Sequence, residues 1–406
     1  MYKIIALSLI SLAFIFDFFL LILSYKSRNN PIPQELDDVY DKETYNKWKK
    51  YAAENIVLDM VQSLISFIVT FVLIITDVFA FIARDITDHY LAAIVVLAVN
   101  IAISTVVGFV FKYVGVMKIE EKYGFNKSTL KTLIVDEIKE LIISAIIVIG
   151  LTCLFISLYE SMHDYILLLF SGILFVLIMI IMFISPLLSK IFNKFTSLPD
   201  GELRDKLIAM LEKHGYHVRD IKVMDASRRT TKSNAYFTGF GKSKTIVLFD
   251  NLLKVMDDDE IIAIFAHEMV HGLHKDTLKN TFTSLLSIVI IVILAWLLVR
   301  FPSIYSDFGF YDVNYGFGVI LLLECLMPVV SIILGLLSSI RSRKAEYRAD
   351  EQAFKEGYAD QLITALKKLT RENFGNLNPH PLVVLLQYSH PTLLQRYRHI
   401  KELENR

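Results

Sequence analysis

A mainly α-helical membrane protein is the fold class predicted for this chain, and three observations predict it. Of its 406 residues 54% are hydrophobic, and the mean hydropathy is +0.49. The apolar residues also gather in blocks of about 18 or more, long enough to cross a bilayer and too long for ordinary soluble helices.

About seven spans can be read in order: Lys3 to Ser24, Ile56 to Ala83, Leu91 to Val116, Leu141 to Leu158, Tyr165 to Ile184, Phe282 to Val299 and Phe317 to Ile340. The first runs too long for a signal peptide, carries Asp17 and is not followed by a small-residue cleavage site, so it is expected to be a retained anchor. Residues 1–186 should form an N-terminal bundle of five spans with polar loops. Residues 187–406 should form a second region, interrupted by two further spans at about 282–299 and 317–340. Asp17, Asp59, Asp77, Asn100 and Glu324 fall inside predicted spans. Each is costly in lipid, so together they predict a bundle with a polar interior.

Positive charge orients the bundle, because lysine and arginine mark cytoplasmic loops. Lys26, Arg28, Lys42, Lys47, Lys49 and Lys50 follow the first span, and Lys118, Lys122, Lys127, Lys131 and Lys139 follow the third. The opposite loops are nearly bare of positive charge. The N-terminus should therefore face outward, and the segments Ser185 to Thr281 and Arg341 to Arg406 should face the cytosol. With 42 basic and 42 acidic residues and no basic stripe, nucleic acid is excluded as an expected partner. Cys153 and Cys325 both lie in spans and read as packing residues rather than metal ligands.

Between the fifth and sixth spans, Gly201 to Gly215 predicts a short amphipathic helix and His217 to Met224 a strand. Ala235 to Gly239 and Thr245 to Phe249 predict two more strands, joined by a Gly-Lys-Ser-Lys turn. Asp257 with Glu260 makes a capping-box start for a helix that is expected to run on into the sixth span. That helix carries His267-Glu268-Met269-Val270-His271. Two histidines at i and i+4 share a helix face and can share a zinc ion, with the adjacent glutamate placed to handle a proton on a water. A membrane zinc protease is the reading these residues suggest.

A hydrolytic zinc site needs a third protein ligand and an open position. Thr277 stands where a third histidine would be in one common arrangement, and His274, three residues past His271, projects at a different angle. The better candidate is Glu346 in Ser342-Arg343-Lys344-Ala345-Glu346-Tyr347-Arg348-Ala349-Asp350, on a polar helix that leaves the last span. Asp350 lies four residues on, on the same face, where it can fix the tautomer of a ligand imidazole. The zinc should sit near the cytosolic membrane surface. Tethered or lipid-modified chains are then natural substrates, since a tether raises their local concentration.

An HExxH motif followed, two apolar spans later, by SRxxEYxAD resembles the CAAX prenyl protease 1 family of integral-membrane zinc metalloproteases. The likeness extends through Pro31 to Leu36, Tyr51, Glu121 to Lys127, Ile191 to Phe195, Ser233 to Tyr236, Ile246 to Asp250, Ser389-His390-Pro391 and Arg396. The resemblance implies one Zn2+ per chain, held by His267, His271 and Glu346. It implies Glu268 as general base, Asp350 and Arg396 as residues supporting the ligands, and His390 directed at the reacting oxygen. It makes Asn234, Ala235 and Tyr236 an edge strand that clamps an extended peptide through its backbone. The implied architecture is a capped polar chamber within the bundle and a small α+β gluzincin-like catalytic domain on its cytosolic side. The implied substrates are membrane-associated or prenylated CAAX proteins, in the endoplasmic reticulum of a eukaryote or the plasma membrane of a prokaryote. Two rivals are a general quality-control protease of membrane proteins and a catalytically silent scaffold or transporter. The intact ligand and base positions argue against the second.

Overall fold

The computed structural model of the chain describes residues 1–215, 220–238, 245–274 and 276–405. Helix α1 (Tyr2–Ser27) packs along α2 (Lys42–Ile75), whose first turn is capped by Asp41 through a hydrogen bond from the Thr44 amide. The second span ends at Ile75 rather than continuing to Ala83. Asp77 adopts a left-handed conformation (φ 57°), and a short α3 (Val78–Ala83) follows. Asp77 therefore leaves the bundle interior and pairs with Lys3 at 2.6 Å. The costly carboxylate marks the end of a span rather than its middle.

Helix α4 (His89–Val114) passes directly into a π-helical turn, Gly115–Glu120. The apolar run from Leu130 to Met182 reverses at His163 (φ 51°), so it is two helices, α5 (Leu130–Met162) and α6 (Ile166–Phe192). Counted this way, the long apolar helices among the described residues agree with the predicted seven.

After α6 comes the only sheet among the described residues. It consists of β1 (Phe195–Ser197), β2 (Asp220–Met224), β3 (Ala235–Thr238) and β4 (Thr245–Phe249) in the order β1-β2-β4-β3. The β2/β4 pair is parallel and the other two pairs are antiparallel, which leaves β3 at an edge. Strand β1 was not expected: three residues carry too little pattern to read. The amphipathic helix is α7 (Glu202–Lys213), between β1 and β2. The Gly-Lys-Ser-Lys turn, Gly239 and the expected start of the strand at His217 lie outside the described residues.

A short α8 (Leu252–Val255) leads to α9 (Asp258–Leu273), which starts with the predicted capping box. Its apolar positions Ile262, Phe265 and Met269 are fully buried against Leu207 and Leu211 of α7, Ile246 and Leu248 of β4, and Leu362. Helix α9 does not run on into the membrane. It stops at Leu273 with His274 as its C-cap, and α10 (Asp276–Arg300) begins afresh with an acidic first turn, as a helix N-terminus favours.

Across the far end of the bundle, α11 (Ser303–Ser306) and α12 (Tyr315–Ile320) frame an aromatic cluster in which Phe308 and Phe310 lie about 5 Å from Phe317. The last span continues through a π-helical segment, Leu321–Leu326, into α13 (Met327–Lys355). Glu324 sits in that segment, and its carboxylate accepts hydrogen bonds from Thr70 (2.8 Å) and Asn100 (3.0 Å). Nearby, Asp59, Gln62, Lys112, Glu137 and Glu140 line a cavity of about 600 Å³. The bundle interior is thus polar, as the intramembrane carboxylates predict.

The chain ends in α14 (Ala359–Glu372), α15 (Pro381–Gln387) and α16 (Leu393–Glu404). These dock on the first loop of the bundle. The Trp48 indole donates to the Phe374 carbonyl (3.0 Å), and the Tyr40 hydroxyl shares its one proton between the carbonyls of Thr370 and Gly375. The side chain of Trp48 is only 2% exposed. Trp48→Ala is expected to destabilise the protein by about 3–5 kcal/mol, whereas Trp48→Phe keeps most of the buried area and should lose about 1 kcal/mol. Thermal unfolding of both variants in detergent checks the ordering.

Candidate metal centre

Two helices make the centre. Helix α9 presents His267 and His271 one turn apart, and α13 crosses it with Glu346 facing both. Glu346 Oε2 lies 3.2 Å from His267 Nε2, and Glu346 Oε1 lies 3.4 Å from His271 Nε2. One ligand atom from each of the three residues falls within 4.8 Å of the others.

These spacings fit a metal. Two N or O ligands about 2.0–2.1 Å from a tetrahedral zinc stand about 3.3–3.4 Å apart. Glu346 Oε2 is buried and makes no hydrogen bond of proper geometry among the described residues, so it keeps a lone pair for an ion. The donor set, two imidazoles and one carboxylate, is the set that zinc accepts in hydrolytic sites.

Each imidazole is held from behind by a carboxylate, and each carboxylate by an arginine. His267 Nδ1 lies 2.9 Å from Asp350 Oδ1, and Asp350 accepts from Arg396 at 2.5 and 3.0 Å. His271 Nδ1 lies 3.3 Å from Asp276 Oδ2, and Asp276 accepts from Arg348 at 2.6 and 2.8 Å. Such partners fix the ring orientation and leave Nε2 as the free donor atom. Asp350 and Arg396 are buried. Removing one member of a buried pair strands the other charge, at a cost of about 3–5 kcal/mol.

Asp350 and Arg396 were expected around the ligands. Asp276 and Arg348 were not, because in one continuous helix a residue five positions past His271 points away from it. The break between α9 and α10 turns Asp276 back. His274, at the exposed C-cap of α9, is not among the clustered residues.

Glu268, beside His267, lines the same cavity as Glu346 and His271, a space of about 620 Å³. Burial pushes its carboxyl above the ordinary carboxylate range, against the pull of the two imidazoles. Asn234, Ala235 and Tyr236 form another part of the wall, at the open edge of the sheet. His390 reaches the cavity from the segment after α15. Its Nε2 is 3.4 Å from Glu346 Oε1 while its side chain remains 64% exposed.

The position of His390 depends on a residue that the sequence reading did not single out. Arg343 donates to the carbonyls of Val384 (3.1 Å), Leu385 (3.3 Å) and Tyr388 (2.6 Å). Leu385 and Tyr388 lie at the helix end, where carbonyls lack partners within the helix, while the Val384 carbonyl also accepts from the Tyr388 amide. Arg343 thereby pins the C-terminal end of α15 to α13, two residues before His390. Its only signal in the sequence is a charge three residues before Glu346.

The chain resembles known proteins along most of its length. Residues 22–194 match the family model described as CAAX prenyl protease N-terminal, five membrane helices, and residues 197–404 match that of peptidase family M48. The chain is 30% identical to CAAX prenyl protease 1 of Saccharomyces cerevisiae, over 94% of this chain and 91% of that protein. It belongs to the CAAX prenyl protease 1 family. A CAAX prenyl protease 1 homolog of Arabidopsis thaliana is 35% identical over 70% of this chain and 67% of its own length. The Homo sapiens homolog is 26% identical over 94% and 90%. The crystal structure of S. mikatae Ste24p superposes with a TM-score of 0.91 at 30% identity, covering 98% of this chain and 99% of that one. As a member of the CAAX prenyl protease 1 family, the protein is a multi-pass membrane metallopeptidase.

Two expectations follow. Asp276→Ala should weaken metal binding about 10–100-fold by freeing the His271 ring, and metal analysis after dialysis against graded chelator measures it. His274→Ala should leave metal content unchanged in the same assay.

Proposed function

We propose that the chain is a zinc-dependent endopeptidase that trims the C-terminus of prenylated CAAX proteins at the cytosolic membrane surface. The observation that carries this reading is the shared cavity. One space holds the histidine and glutamate donors, a buried carboxylate beside them and an open sheet edge, at the foot of two membrane-spanning helices. His267, His271 and Glu346 are the proposed zinc ligands. A zinc ion bound by them supplies Lewis acidity, polarising the scissile carbonyl and making a water easier to deprotonate.

The remaining steps are carried by the protein's own residues. The edge of β3 at Asn234 to Tyr236 holds the substrate extended through main-chain hydrogen bonds, which depend little on substrate sequence. Glu268 takes the proton of the attacking water and delivers it to the leaving amine. His390 donates to the oxyanion as charge develops there. Asp350 and Asp276 keep both ligand imidazoles in one tautomer, and Arg396 and Arg348 hold those carboxylates.

The orientation rests on loop charge. It is supported by the docking of the lysine-rich first loop and of Tyr123 and Phe125 from the second loop onto the same region that bears the sheet and α14. Single cysteines at Asn29 and Ser342 should label from the cytosolic side only, and one at Ser306 from the opposite side only. Swapped labelling would reverse the orientation.

The chemistry is tested by two substitutions. Glu268→Gln should keep zinc and lose turnover, since the amide retains shape without accepting a proton. Glu346→Ala should lose most of the metal. The substrate is tested by comparing a farnesylated CAAX peptide with its plain twin in a reconstituted bilayer. The farnesylated peptide should be cut preferentially, and equal rates would favour general membrane proteolysis.

A further inference from the structure

The catalytic cavity is more cationic than hydrolysis requires. Besides the catalytic groups, Lys279 of α10 and Arg341, Lys344 and Arg348 of α13 line it. Arg348 is committed to Asp276, and Lys279 stands 4.0 Å from the same carboxylate. Lys344 is exposed in the cavity and makes no ion pair or hydrogen bond among the described residues. Lysine near the end of a membrane span often serves only to anchor the helix at the headgroups. Lys344 differs in opening onto the same space as Glu268 and His271.

Spacing relates this charge to the substrate. Three residues of extended peptide span about 10 Å. Lys344 is two residues before Glu346, about 3 Å along the helix axis, and Arg341 is five before, about 7.5 Å along it. A lysine side chain adds roughly 6 Å of reach, since it carries its ammonium on a flexible four-carbon stem. An anion three residues beyond the scissile bond therefore falls within reach of Lys344, on the side where Arg341 also lines the wall.

From this arrangement we infer that Lys344, assisted by Arg341, binds the free C-terminal carboxylate of the peptide being trimmed, and so sets the cut at a fixed distance from the chain end. The inference rests on the C-terminal processing reading above and adds the group that measures the distance. It also addresses a gap in that reading. A backbone clamp holds any extended chain, so it cannot by itself choose which bond lies over the metal. A fixed cation that meets a terminal anion can, because an internal segment offers no such charge.

The test uses the full-length enzyme in detergent without anionic lipid, and a farnesylated CAAX peptide prepared as free acid and as C-terminal amide. The acid should show a KM about tenfold below that of the amide. Lys344→Gln should raise KM for the acid to that of the amide while moving the amide's by less than twofold, and Lys344→Arg should restore the difference. Binding of the tripeptide product, as acid and as amide, to the Glu268→Gln enzyme by calorimetry gives the same comparison without turnover. Equal KM values for acid and amide in the wild type would overturn the proposal, as would a Lys344→Gln effect equal on both. Anionic lipid headgroups share the chemistry of the carboxylate. If Lys344→Gln changes only the response to added phosphatidylserine vesicles, the cation serves the membrane and the proposal fails. An unprenylated pair separates this result from the substrate reading: an acid preference that persists without any farnesyl preference would remove the CAAX assignment and leave the carboxylate site standing.

Discussion

Everything in the catalytic region depends on the crossing of α9 and α13 at Glu346. The chain has to bring a carboxylate between two imidazoles that lie 75 to 79 residues earlier, with two membrane-spanning helices in between. Burying that carboxylate alone would be expensive. The cost is offset by Arg396, whose Nη1 is 3.8 Å from Glu346 Oε2, and would be offset further by a cation held between Glu346 and the two imidazoles. Arg396 also binds Asp350, so α16 is tied by one guanidinium to both carboxylates of α13. The final helix of the chain is thus part of the frame that sets ligand geometry.

That frame is braced from the bundle side as well. Tyr51 of α2 packs edge-on against Tyr123, Phe125 and Phe374, with ring centroids 5.1 to 5.5 Å away. Lys232 hydrogen-bonds Tyr51 and Glu120, and the side chain of Asn373 bonds the main chain of Ser233 in both directions. Ser233 immediately precedes the exposed strand edge. The polar loops of the bundle therefore support the strand proposed to hold substrate, which gives a physical reason for those loops to carry family-like motifs far from the metal in sequence.

How much of this could be read beforehand follows from the range of each signal. Spans were legible because apolar length is a local property, and so were the α9 capping box and the pairing of His267 with His271, which depend on a few consecutive residues. Glu346 needed more: its helix was visible, but its meeting with α9 came from family likeness. Asp276 and Arg343 were not legible. The first depends on a helix break at His274 that reverses the expected facing, and the second acts on carbonyls 41 to 45 residues away. The end of α2 at Ile75 was missed for a similar reason, since the apolar run continues through Phe81 while the backbone turns at Asp77.

The same contrast bears on how a membrane protease gains selectivity. A metal triad and base of the kind proposed would cut any amide presented to them, and a sheet edge accepts any extended backbone. Selectivity must then come from the entrance and from the ends of the substrate. The site lies below two spans and beside a polar bundle interior, so a chain tethered to lipid arrives at the right depth without any contact specific to its sequence. Charge distribution supplies the second coordinate. Asp350 and Asp276, behind the two imidazoles, are each neutralised by a dedicated arginine, whereas Lys344 and Arg341, about half a turn and one and a half turns before Glu346, line the cavity. A lipid at one end and a carboxylate at the other are the two features that a processed C-terminus offers and an internal loop does not. An enzyme that reads those two points needs no side-chain pocket to find its bond.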